Sequence, residues 1–159
     1  LPENQRNEEN VLHMRTHFVP YYDKHNADLS CPYPGIVALL EELQYRGIMT
    51  AVASNKYQAA TTELAKHYFP TIDFIEILGQ REGIAVKPDP TIVYDILKKA
   101  KVLPEEVLYV GDSGVDMKTA INSGIDAIGV TWGFRPKAEL ESFRPKGIID
   151  KAEELLEYL

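Results

Sequence analysis

Cysteine is almost absent from this chain of 159 residues: Cys31 stands alone. No intrachain disulfide can form, which points to a reducing compartment and reads as cytoplasmic. A single thiol of this kind is expected to pack as a small buried hydrophobe. No run of about eighteen apolar residues occurs, so no membrane span is expected. Basic residues are in the minority: 17 Lys and Arg against 24 Asp and Glu give a net charge of −7. With no basic stripe, nucleic acid is not an expected partner, although a small anion can still bind at a locally positive site. The 4 histidines show no zinc-ligand spacing. His13 and His17 lie four apart on a helical segment but find no third ligand. Repeats and low-complexity tracts are also missing. The opening Leu-Pro-Glu-Asn-Gln-Arg-Asn resembles no secretion signal and has no initiator Met, so the chain is expected to belong to a longer protein.

Two regions can be told apart by pattern. Residues 3–26 are polar and helical, with Val11, Met14, Phe18, Tyr21 and Tyr22 forming one apolar stripe. Pro32 and Pro34 close this segment, giving an expected division into 1–31 and 32–159. Beyond the prolines, helices and strands alternate. Ile36, Leu39, Leu40 and Leu43 make an amphipathic helix that stops at Gly47. Ile48 to Ala53 reads as a buried strand, 56–68 as a helix and Phe74 to Leu78 as a strand. Thr91 to Ala100 is an expected helix, Val107 to Val110 a strand and Met117 to Asn122 a helix. Ala127 to Thr131 and Gly147 to Ile149 are further strands, and Asp150 with Glu153 looks like a capping box opening a last helix. This alternation predicts an α/β fold: a Rossmann-like parallel sheet between two layers of helices. Ligands of such sheets bind beyond the carboxyl ends of the strands.

Three short motifs fall at those ends. Val52-Ala53-Ser54-Asn55-Lys56 follows the first strand, and Ser54 and Asn55 offer a hydroxyl and an amide suited to a phosphate. Lys87-Pro88-Asp89-Pro90 places a lysine on a rigid turn, able to neutralise a phosphoryl group. Gly111-Asp112-Ser113-Gly114-Val115-Asp116 sets two carboxylates four apart at a strand-to-helix turn. Oxygen ligands of this kind suit Mg²⁺. Taken singly, each motif also reads as an ordinary helix cap or loop residue. Trp132 and Phe134 follow a strand on the same rim, where they line an entrance or simply pack beneath a loop.

The order and spacing of the three motifs resemble those of the haloacid dehalogenase-like hydrolase superfamily, and within it the phosphoglycolate phosphatase group. Pro32-Tyr33-Pro34-Gly35 and Val130-Thr131-Trp132-Gly133 add to the similarity. The segment around Tyr21, Tyr22 and His25 resembles the last helix of that group's helical cap. The resemblance implies a Mg²⁺-dependent phosphomonoester hydrolase acting through an aspartyl-phosphate, with a small phosphorylated metabolite as its partner and phosphoglycolate as the first candidate. By the same resemblance, Ser54 binds the transferring phosphoryl group with help from Asn55. Lys87 stabilises its charge, Asp112 ligates Mg²⁺ and Asp116 holds a water on the metal.

One element of that family is missing. Its first motif, Asp-x-Asp at the end of the first core strand, supplies the nucleophile and a general acid/base. Here Asp occurs at 23, 28, 73, 89, 95, 112, 116, 126 and 150, and no two are two apart. In the family this strand lies between the strands that end here at Ser54 and Asp112. Its absence is expected to leave two unpaired apolar edges. The expected function is therefore that of a phosphatase whose nucleophile lies outside residues 1–159. The alternative is a degenerate, non-catalytic relative that binds phosphate or a partner.

Overall fold

A computed structural model describes residues 1–159, which divide into two compact units, Leu1–Cys31 and Pro32–Leu159. The first unit holds a 3-10 turn, Glu3–Gln5, and helix α1, Glu8–His25. Asn7 starts α1 by accepting a hydrogen bond from the Asn10 N–H at 2.8 Å. Glu8 and Glu9 at its start and Lys24 and His25 at its end complement the helix dipole. The stripe Val11, Met14, Phe18 and Tyr21 is exposed. Cys31 is exposed as well, contrary to expectation. It lies past the helix in an irregular stretch, where no apolar layer is built to cover it.

The second unit runs α2 (Ile36–Tyr45), β1 (Thr50–Tyr57), α3 (Gln58–Tyr68), β2 (Phe74–Gln80), α4 (Thr91–Ala100), β3 (Leu108–Gly111), α5 (Gly114–Ser123), β4 (Asp126–Val130), α6 (Lys137–Glu141) and β5 (Gly147–Ile149). A 3-10 segment, Ala152–Tyr158, follows. Every strand pair is parallel. Neighbouring strand residues point to opposite faces, and the packing follows that rule. Leu108 joins the cluster built on Leu39 and Leu43 of α2, while Tyr109 joins the cluster built on Ile92, Val93 and Leu97 of α4. Ile128 and Ala127 divide in the same way between the α2 cluster and that of Met117 and Leu140. Helices therefore cover both faces, giving the three-layer α/β architecture.

The strands form two sheets, β1–β2 and β3–β4–β5, and no backbone ladder joins them. Buried parallel strands normally sit deep between their helices. β4 does so, being buried from Ala127 to Val130, but no residue of β1 or β3 is buried. Val110 of β3 is 42% exposed. The unpaired edges expected of a missing strand are present on β1 and β3.

Three local expectations need correction. Ser54 and Asn55 do not open a helix; β1 continues through them to Tyr57, and α3 starts at Gln58. The ladder is irregular there because the Ser54 hydroxyl oxygen accepts from the Lys56 N–H at 3.1 Å. Helix α5 begins at Gly114 rather than Met117, since Ser113 caps it by accepting from the Asp116 N–H. Asp150 and Glu153 form no capping box. The Asp150 carboxylate instead accepts from the Thr131 hydroxyl at 2.6 Å, and its N–H goes to Glu154.

Candidate active site

Lys87 is the meeting point of the site. Its Nζ donates to Ala53 O in β1 at 2.9 Å, to Asp116 Oδ1 at the head of α5 at 2.7 Å, and to the Tyr109 hydroxyl in β3 at 3.3 Å. Three acceptors take up the three donors of an ammonium. Both side chains of the Lys87–Asp116 pair are only 10% exposed. The loop carrying Lys87 enters α4 through Asp89, whose carboxylate accepts from the Thr91 N–H at 2.9 Å. Asp89 thereby fixes the loop's exit, and its carboxyl is held below the ordinary value by Thr91.

Asp116 is buried, which opposes its charge. The Lys87 ammonium, the Ser113 hydroxyl at 2.6 Å and the Asp112 backbone N–H together outweigh that cost and hold its carboxyl below the usual carboxylate range. Beside it, burial first and then the Asp116 charge push the Tyr109 phenol far above its ordinary value. Tyr109 thus remains a neutral donor and acceptor throughout the physiological range. It was not singled out from the sequence; the only signal was a phenol within an otherwise aliphatic strand.

The Asp112 side chain stands apart from this network. Its Oδ2 accepts from the Phe134 N–H at 3.1 Å, and its Oδ1 has no partner within the chain. Two glycines allow the carboxylates to sit this close to the main chain. A Cβ on Gly133 would overlap the Asp112 side chain, and one on Gly111 would overlap Asp116. The α5 N-terminus is tied down from outside by Glu139, which accepts from the Gly114 N–H at 2.8 Å. Trp132 packs partly buried against the α2 core cluster, whereas Phe134 is 91% exposed.

Ser54, Asn55 and Lys87 line one small cleft together with Gly79 and Arg81. Arg81, not anticipated from the sequence, pairs with Asp95 of α4 at 2.7 Å. Asn55 does not direct its amide into open space. Its Oδ1 accepts from the Lys87 N–H at 2.9 Å, and its Nδ2 donates to Lys87 O at 3.0 Å. The structure therefore gathers Asn55 and Asp116 around Lys87, with Ser54 lining the same cleft, and sets Asp112 beside them at the carboxyl end of β3.

Residues 2–130 match the sequence profile of the haloacid dehalogenase-like hydrolases, and the chain belongs to that family. Its relatives include phosphoglycolate phosphatases. The one from Pasteurella multocida is 29% identical over 96% of this chain and 68% of its own length. The one from Vibrio parahaemolyticus is 30% identical over 88% of this chain and 61% of its own. A candidate phosphoglycolate phosphatase from Lactobacillus delbrueckii subsp. bulgaricus superposes with a TM-score of 0.88 at 36% identity, covering 96% of this chain and 63% of that one. The chain spans roughly two thirds of the length of the curated relatives it matches.

Proposed function

We propose that this chain carries the phosphate- and metal-binding part of a Mg²⁺-dependent phosphomonoester hydrolase, with phosphoglycolate as the first candidate substrate. The observation that carries the reading is the placement of Lys87. A single buried ammonium bonds Ala53, where the regular pairing of β1 with β2 stops, and Asp116 beyond the end of β3, near the rim where α/β sheets bind their ligands. Relatives that are phosphoglycolate phosphatases support the choice of substrate.

The donor set suits Mg²⁺ shared with substrate and water rather than enclosed by protein. Asp112 offers one carboxylate oxygen without a protein partner, and no cluster of three acidic, histidine or cysteine side chains accompanies it. Asp112 would hold the ion, which supplies charge neutralisation on the phosphoryl oxygens. Ser54 would donate its hydroxyl proton to a phosphoryl oxygen, since its oxygen already accepts from Lys56. Lys87 would exchange its long bond to Tyr109 for a phosphoryl oxygen while Asp116 keeps the ammonium in place. This role differs from the one the resemblance implies for Asp116, whose two oxygens are taken by Lys87 and Ser113. The attacking carboxylate is assigned to residues outside 1–159, on a strand that pairs with β1 and β3. The ladder-free division between the two sheets supports that assignment. Leu1–Cys31 is read as part of a helical cap.

The test is phosphate release from a panel of phosphomonoesters by the protein encoded by the complete reading frame. Mg²⁺-dependent turnover with a preference for phosphoglycolate is expected. No turnover of any phosphomonoester, with the sheet completed by an Asp-x-Asp strand, would overturn the reading.

A further inference from the structure

Asn55 and Lys87 are 32 residues apart, yet one side chain takes up both main-chain groups of the other residue. Lys87 has a single N–H and a single C=O, and Asn55 binds each. The amide orientation is fixed by this pattern, because a flipped amide would set donor against donor and acceptor against acceptor. A second asparagine, Asn122 of α5, donates to the next carbonyl, Pro88 O, at 2.8 Å. The Lys87–Pro88 segment is thus held from the β1 side and from the α5 side. These are also the two sides that its ammonium bridges through Ala53 and Asp116.

We propose that Asn55 is a positioning residue for Lys87 and not a ligand of the substrate phosphate. The inference rests on the phosphatase reading above and replaces the role that the family resemblance implies for this residue. With its oxygen and one N–H engaged by the Lys87 main chain, the Asn55 amide is held in place by Lys87, and one N–H and one oxygen lone pair remain. Its leverage lies elsewhere. Lys87 reaches its acceptors through a long flexible stem, and its main chain must be fixed for the ammonium to be fixed. Misplacing a catalytic group by about 1 Å can cost on the order of 100-fold in rate. Asn55 is exposed, so its two bonds add little to global stability, and the effect on rate can be separated from the effect on folding.

The test uses Asn55→Ala and Asn55→Asp in the complete protein, alone and combined with Lys87→Ala. Asn55→Ala is expected to lower kcat about 10- to 100-fold with less than about a 3-fold change in KM. Asn55→Asp keeps the acceptor for the Lys87 N–H but sets a carboxylate oxygen against Lys87 O, so it should not restore the wild-type rate. Added to Lys87→Ala, Asn55→Ala should cost under about 2-fold, because the residue it serves is gone. The Lys87 amide should exchange its hydrogen at least about 10-fold faster in Asn55→Ala, with the melting temperature retained. A raised KM with kcat preserved would overturn the proposal, as would multiplicative losses in the double variant or unchanged Lys87 exchange. The exchange measurement needs no activity. An inactive wild type would therefore refute the phosphatase reading separately from the Asn55–Lys87 clamp.

Discussion

Lys87 Nζ lies 2.7 Å from Asp116 Oδ1, and each side chain is 10% exposed. This pair joins the loop before α4 to the head of α5, and it determines how both halves of the site respond to change. Breaking a buried pair from one side leaves an uncompensated charge. Asp116→Ala should therefore lower the unfolding free energy by about 3–5 kcal/mol in urea titration. A loss below about 1 kcal/mol would mean that solvent reaches Lys87 and replaces its partner.

The same pair sets an acid limit. The folded Asp116 carboxyl is held below its unfolded value, so its stabilisation is complete above the unfolded value of about 3.9. That contribution is lost as the pH falls from there through the folded value. Urea unfolding between pH 6 and 3 should show a steep fall in wild type below about pH 4 and a shallower one in Asp116→Asn. Parallel curves would place the acid sensitivity in other groups.

Gly133 is expected to be intolerant of a side chain for a reason specific to metal binding. A Cβ there overlaps Asp112, which must move off the rim. Gly133→Ala should weaken Mg²⁺ binding by about 10-fold or more in calorimetry, as disturbing the surroundings of a ligand usually does. Unchanged Mg²⁺ affinity would separate Asp112 from the metal.

Residues 1–159 alone should show negligible phosphatase activity. On the proposed reading the nucleophile lies outside these residues, and removing one costs on the order of 10⁶ in a well-studied covalent enzyme. The open edges of β1 and β3 should also make this piece bind hydrophobic dyes and associate. Robust turnover of phosphoglycolate by purified 1–159 material would contradict this.

Much of the fold is written in local pattern. α4 spans Thr91–Ala100, as its apolar spacing after Pro90 predicts, and β5 spans Gly147–Ile149. The expected absence of a strand between β1 and β3 corresponds to a sheet in two parts. Misreadings arise where a polar side chain chooses a distant partner over a local cap. Ser54 and Asn55 have the composition of a helix start, but Asn55 is drawn to Lys87. Asp150 suits a cap, but it bonds Thr131. Tyr109 and Arg81 could not be placed at the site because their roles depend on which strands become neighbours. No spacing rule within one segment carries that information.

The central claim is that Asp112 holds the Mg²⁺ that serves a phosphate beside Lys87. It is tested most directly by titrating Mg²⁺ against phosphoglycolate hydrolysis in the complete protein, wild type and Asp112→Asn. The account predicts Mg²⁺-dependent turnover in wild type, and in Asp112→Asn a half-saturating Mg²⁺ concentration raised at least about 10-fold with sharply reduced turnover. Identical Mg²⁺ curves for the two proteins would contradict it.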